Sequence, residues 1–218
     1  MLGALIFDFD GVILDTETPE FQSWQEVFAD HGSVLTIEVW AQAIGAGRTA
    51  FDIYGHLASV VGRPIDADSI RAVRRPRNDF LLSTQSILPG VESWIGAAKQ
   101  LGFKLGVASS STSEWVEAHL LRLGLREAFG SLRCADHVER TKPDPELYVS
   151  VLADLGVRPR DAIAIEDSPN GITAAKRAGL FCIAVPNSVT TGLDLSQADL
   201  RLSSLADLSL EGFIARAR

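Results

Sequence analysis

Asp8 and Asp10 stand at the end of an apolar run, Ala4-Leu5-Ile6-Phe7, with Gly11 directly after them. Side chains on a continuing strand repeat every second residue, so the two carboxylates share a face. Ionised carboxylates are rarely buried unless paired or bound to a metal. A pair at a buried strand end is therefore poorly explained by packing and is a candidate for chemistry or for a metal site. Gly11 lets the chain turn where a side chain would crowd a ligand. A solvated Asp-Gly turn is the structural alternative for this stretch.

Three more groups share that placement. Ser109 follows Val107-Ala108, Lys142 lies one loop beyond the apolar stretch at Cys134, and Glu166-Asp167 follow Ala162-Ile163-Ala164-Ile165. Singly, Ser109 suits a helix N-cap, Lys142 a solvated loop, and Glu166-Asp167 a helix start. Jointly, a nucleophile, a hydroxyl, a lysine and an acidic pair occupy successive strand ends. Ligands of open parallel sheets bind beyond those ends.

The elements that carry these residues alternate. Helical spacing of Phe21, Trp24, Val27 and Phe28 predicts a helix from Thr18-Pro19 to about Gly32. Helices are expected over 37–44, 49–61 and 66–83, with no strand among them. Beyond Pro89 come helix 91–101, strand 103–108, helix 114–123, strand 132–135, helix 145–155, strand 162–165, helix 169–178 and strand 180–185. A last helix is expected over 205–217, and 187–197 reads as a loop. Strands alternating with helices imply right-handed β-α-β units and a parallel sheet covered on both faces. The expected fold class is α/β: a Rossmann-like parallel sheet core, residues 1–15 and 88–218, with an inserted helical bundle over 16–87.

Composition narrows the function classes. A chain of 218 residues, 46% hydrophobic, is long enough for one substantial core with an insertion. A formal charge of −8 argues against nucleic acid, whose phosphates require a basic footprint. Small phosphorylated ligands need only a local cluster of cations. Cys134 and Cys182 sit in apolar surroundings and read as packing residues. Asp8 and Asp10 interrupt the N-terminal apolar run too early for a signal peptide, and no stretch suits a membrane span. The expected location is the cytoplasm. Trp40, Trp94 and Trp115 are expected in the core.

Asp8-Phe9-Asp10-Gly11-Val12, Ser109, Lys142-Pro143 and Ile165-Glu166-Asp167-Ser168-Pro169-Asn170-Gly171 resemble the four motifs of the haloacid dehalogenase superfamily. The helical insertion after the first motif looks like that family's small helical cap. The β-phosphoglucomutase-like and sugar-phosphate phosphatase branch is the most similar one, and the likeness covers nearly the whole chain.

The resemblance implies roles. Asp8 would attack phosphorus and become an aspartyl phosphate. Asp10 would protonate the leaving alcohol and then activate water. Mg²⁺ would be held by Asp8, the backbone carbonyl of Asp10 and Asp167, with Glu166 a direct or outer partner. Lys142 would neutralise the phosphoryl oxygens, and Ser109 with nearby N–H groups would hold one of them. Gly11, Thr16 and Ser110 fall on the substrate side. Dehalogenases of this family lack an acid/base at the position of Asp10, so phosphate chemistry is expected.

The cap is expected to choose the substrate. Arg48 and Arg77 match positions where related mutases place cationic residues. Glu20 stands where the phosphoglucomutases carry a histidine, which weakens the mutase reading. Glu20 is instead a candidate for sugar or polyol hydroxyls. The expected activity is Mg²⁺-dependent hydrolysis of a small phosphorylated metabolite, by a monomer or small homo-oligomer. A hexose phosphomutase is the alternative. A metabolite-binding regulator on the same scaffold is the non-enzymatic rival, opposed by the intact Asp8, Asp10, Lys142 and Asp167.

Overall fold

A computed structural model describes residues 2–41 and 51–216. Its strands are β1 (Ala4–Phe7), β2 (Lys104–Ala108), β3 (Ser131–Arg133), β4 (Ala162–Glu166), β5 (Phe181–Ala184) and β6 (Leu200–Arg201). They form one sheet in the order β3-β2-β1-β4-β5-β6, and every pairing is parallel. This is the α/β Rossmann-like architecture expected from the alternating pattern.

β1 is buried over its whole length because both sheet faces are covered, the usual situation of a parallel strand. Leu5 and Phe7 join one apolar cluster with residues of α5 (Val91–Gln100), α6 (Ser113–Arg122) and α9 (Leu210–Arg216). Ala4 and Ile6 point to the other face and pack with α7 (Glu146–Leu155) and α8 (Pro169–Arg177). Alanines 162, 164, 174 and 175 on that face let helix and sheet approach closely.

Between β1 and α5 lie α1 (Glu17–Asp30), α2 (Ile37–Trp40), α3 (Ile53–Val61) and α4 (Ala67–Ser83). Trp24, Phe28, Trp40, Leu57 and Ile70 give this helical block its own apolar cluster. Val189, from the loop after β5, is buried in that same cluster, with Leu193 packed against it. The loop also meets α1 at Thr18 Oγ1, 2.9 Å from Ser188 Oγ.

Some boundaries depart from the sequence reading. α1 starts at Glu17, and Asp15 accepts the Thr18 N–H at 2.9 Å, so neither threonine side chain caps the helix. The C-terminal helix is divided: a 3₁₀ turn spans Leu205–Asp207 and α9 begins at Leu210. The Trp94 indole N–H donates to the Leu205 and Leu208 carbonyls at 3.0 and 2.8 Å, which secures the break. β6 has two residues, too few to show a period, and lies between the expected loop over 187–197 and the expected last helix. Trp40 and Trp94 are core residues, whereas Trp115 is only partly buried. No described helix is long and apolar enough to cross a membrane.

Candidate active site

Strand register brings the chemistry-bearing residues together. Phe7 pairs with Val107 on one side and Ile165 on the other, so β1, β2 and β4 end level. Asp8 continues the ladder, its N–H donating to the Ile165 carbonyl at 2.9 Å. Ser109 continues β2 by donating its N–H to Arg133 at 3.0 Å.

Lys142 is the hub. Its Nζ lies 2.9 Å from Asp8 Oδ1 and 2.6 Å from Glu166 Oε1, with only 3% of the side chain exposed. The loop that delivers it is fastened by Glu146, whose carboxylate accepts the N–H groups of Glu139 and Arg140. Burial alone would lower the Lys142 pKa, but Asp8 and Glu166 outweigh it and the ammonium is held well above its usual range. Glu166 also accepts the Tyr148 hydroxyl at 2.5 Å. Its carboxylate lies against Gly171, where an added Cβ would fall 1.9 Å from Oε2.

Asp8, Glu166 and Asp167 form a buried acidic group whose ligand atoms lie within 4.8 Å of one another. Burial, with Glu166 and Asp10 nearby and Lys142 opposing, pushes the Asp8 carboxyl up to about 8. Burial, then Asp8 and Glu166, raises Asp167 well above the carboxylate range. Three acids crowded beyond what one lysine neutralises could hold a hard divalent cation through their oxygens. Among them, Asp8 and Asp167 keep more oxygen lone pairs open than Glu166, which is engaged by Lys142 and Tyr148.

Gly11 is required by two facts. Its φ is +77°, and an added Cβ would sit 2.3 Å from Asp167 Oδ2. Asp167 Oδ2 also accepts from Asn187 Nδ2 at 2.8 Å, and Asn187 Oδ1 in turn accepts the N–H groups of Val189 and Thr190. Sequence reading left 187–197 without a role because an isolated loop amide gives no pattern.

Asp10 does not face Lys142. Its Oδ1 accepts from Thr16 Oγ1 at 2.9 Å and Trp115 Nε1 at 3.0 Å, and its Oδ2 from Ser111 Oγ at 2.7 Å and Ser109 Oγ at 3.3 Å. Ser109 is thus not a helix cap. Thr112 caps α6, accepting the Trp115 N–H at 3.4 Å. The Ser110 hydroxyl is buried and has no hydrogen-bond partner in the structure. Trp115, Ser111, Tyr148, Asn187 and Glu17 were not anticipated from spacing. Glu17, next to Asp10 in space, has its carboxyl pushed up to about 8 by burial, then by Asp10 and Glu20.

The expected substrate residues of the helical block fare differently. Arg77 forms a two-pronged ion pair with Glu26 across α1 and α4, at 2.9 Å for each prong. Glu20 receives Arg74 Nη1 at 2.7 Å, and the Arg74 guanidinium lies 4.6 Å from the Trp24 ring centre. Arg48 lies outside the described residues.

Known proteins are similar to this chain over most of its length. The family described as haloacid dehalogenase-like hydrolase matches residues 5–185. YhcW of Bacillus subtilis (strain 168), named as a phosphatase, is 45% identical over 96% of this chain and 95% of its own. The β-phosphoglucomutase of the same organism is 29% identical over 95% of this chain and 92% of its own. The crystal structure of CbbY from Rhodobacter sphaeroides in complex with phosphate superposes with a TM-score of 0.75 at 31% identity, covering 97% of this chain and 99% of that one. The chain belongs to the haloacid dehalogenase-like hydrolases, in their β-phosphoglucomutase-like branch.

Proposed function

We propose that the protein is a Mg²⁺-dependent phosphatase of a small sugar or polyol phosphate in the cytoplasm, working through an aspartyl phosphate on Asp8. The observation that carries this reading is the buried contact of Lys142 with Asp8 and Glu166 at the sheet's C-terminal edge. Lys142 opposes the burial that raises the Asp8 carboxyl and places a fixed positive charge beside an anionic substrate. Family membership and the phosphatase name of a 45% identical relative support it.

In the first step an Asp8 oxygen forms a bond to phosphorus as the bond to the leaving oxygen breaks. The leaving oxygen keeps the electron pair and takes a proton from Asp10, which becomes a carboxylate. In the second step Asp10 accepts a proton from water, the water oxygen attacks phosphorus, and Asp8 departs as a carboxylate. Ser109, the Ser110 hydroxyl and N–H groups at the β2 end contact phosphoryl oxygens. Asp8, Asp167 and the Asp10 carbonyl, with Glu166 behind them, suit Mg²⁺. When bound, the ion supplies charge neutralisation to the phosphoryl oxygens. The helical block over 16–87 acts as a cap that selects the substrate.

The test is phosphate release from a panel of sugar, polyol and short-acid phosphates with Mg²⁺. Turnover concentrated on a few esters and lost in Asp10→Asn supports hydrolysis. No turnover across the panel would sink it. The likeness to a β-phosphoglucomutase favours a second reading, a hexose phosphomutase, for which a bisphosphorylated sugar would stimulate conversion of glucose 1-phosphate.

The acidic cluster also predicts a pH dependence. Folded Asp8 and Asp167 bind protons more tightly than their unfolded counterparts. Metal-free protein therefore loses stability as pH rises from the unfolded value of 3.8 to the Asp8 value of about 8. Calorimetry without metal is expected to give a higher melting temperature at pH 5.5 than at pH 8. Millimolar Mg²⁺ should raise it most at pH 8, where the carboxylates are free to bind.

A further inference from the structure

We propose that the loop from Asn187 to Leu193 couples the helical block to Asp167, with Asn187 as the residue that positions this carboxylate for its metal ion. The inference rests on the reading of Asp8 and Asp167 as metal ligands. Asn187 Nδ2 donates to Asp167 Oδ2 at 2.8 Å. A carboxylate can turn about its Cβ–Cγ bond, and a directed N–H donor on one oxygen removes that freedom. Partners of this kind orient a ligating carboxylate toward its ion. Glycine at position 11 makes the contact possible, since a Cβ there would fall 2.6 Å from Asn187 Nδ2 and 2.3 Å from Asp167 Oδ2.

The Asn187 amide is fixed end for end. Its Oδ1 accepts the N–H groups of Val189 at 2.9 Å and Thr190 at 3.0 Å. Two donors require the oxygen at that end, so the amide nitrogen is left to face Asp167. The backbone is tied as well. Asn187 N–H donates to the Thr190 hydroxyl and Thr191 N–H to the Asn187 carbonyl, both at 3.0 Å. The stretch from Asn187 to Thr191 is therefore one piece.

The far side of that piece belongs to the helical block. Val189 is 3% exposed, buried among Trp24, Phe28 and Leu57, and Ser188 meets Thr18 of α1. One residue separates the amide that holds Asp167 from the side chain seated in the block. A shift of α1 or α3 against the sheet pulls on Val189, whose own N–H holds Asn187 Oδ1. Coupling between sites is carried by such chains of packed side chains and hydrogen bonds. The seating of the block and the aim of the Asp167 carboxylate are thus set together.

The experiment measures Mn²⁺ uptake by the substrate-free protein, with free Mn²⁺ read from its electron paramagnetic resonance signal. Asn187→Ala should weaken binding by about 10–100-fold, the usual effect of losing a partner of a ligating side chain. Val189→Ala leaves every hydrogen-bonding group of the loop in place and removes two methyl groups from the block's interior. It should weaken binding by roughly 2–30-fold. The double variant should bind no more weakly than Asn187→Ala, because Val189 acts through that amide. Val27→Ala, which takes the same volume from the same cluster at a position on α1, should leave the affinity unchanged. Unchanged affinity in either Asn187→Ala or Val189→Ala overturns the proposal, and so do additive losses in the double variant. A loss in Val27→Ala equal to that in Val189→Ala overturns it too, because general loosening of the block would account for both. Wild-type protein that takes up no Mn²⁺ fails the metal reading, and this proposal with it.

Discussion

Asp8→Asn is expected to abolish phosphate release, by on the order of 10⁴-fold or more, as loss of a nucleophile does in other covalent mechanisms. The amide keeps the shape of the side chain but has no anionic oxygen to attack phosphorus. The fold should survive the change. Burial penalises the Asp8 charge more than Lys142 compensates it, which is why its carboxyl is pushed up to about 8. At pH 7 without metal, a neutral group at position 8 should therefore melt at the wild-type temperature or above it. The pair of measurements is a phosphate assay with Mg²⁺ and a calorimetric melt without it. A variant that loses activity but melts well below wild type would show instead that the Asp8–Lys142 pair is a net support of the fold.

Lys142→Met should damage both properties. It removes the cation from contact with Asp8 and Glu166 and leaves buried carboxylates without a counter-charge. Breaking a buried pair from one side costs about 3–5 kcal/mol. In a chain of this size each kcal/mol moves the melting temperature by roughly 2–4 °C, so a drop of about 6–20 °C is expected. Activity should fall by about 10³-fold or more, because the phosphoryl oxygens lose a fixed positive charge. The double variant Lys142→Met with Glu166→Gln separates charge from packing. If unpaired charge is the cause, removing one carboxylate recovers part of the melting temperature while activity stays low. No recovery would assign the loss to packing, including the contact of the Lys142 ammonium over the Tyr148 ring, 5.3 Å from its centroid.

The parts of this site that could be read from sequence are those where an apolar run stops abruptly at a charge. Asp8 and Glu166 are of this kind, because a parallel strand buried on both faces has no other use for a carboxylate at its end. The sheet and its helices were legible for the same reason, since burial on both sides imposes long apolar strands and amphipathic helices between them. Trp115 was legible as an aromatic residue but not as a donor to Asp10, because that depends on how α6 is rotated against the β1 end. The Arg77–Glu26 pair was not legible, because the two residues are 51 positions apart, on α4 and α1, and no local pattern joins them. Asn187 could not be found at all: its value lies in three hydrogen bonds that exist only once the loop is folded.

The burial of Val189 among Trp24, Phe28 and Leu57 bears on how this protein could be recombined with its relatives. A chimera that exchanged residues 16–87 alone would carry a foreign helical block onto a native valine, and the grafted interior would meet the wrong shape. The same short loop holds Asp167 through Asn187 and touches α1 through Ser188. A transplant of substrate preference should therefore take two separate pieces of chain, the inserted helices and the segment from Asn187 to Leu193. If the inserted helices select the substrate as proposed, the unit that carries specificity is discontinuous, and part of it lies after β5.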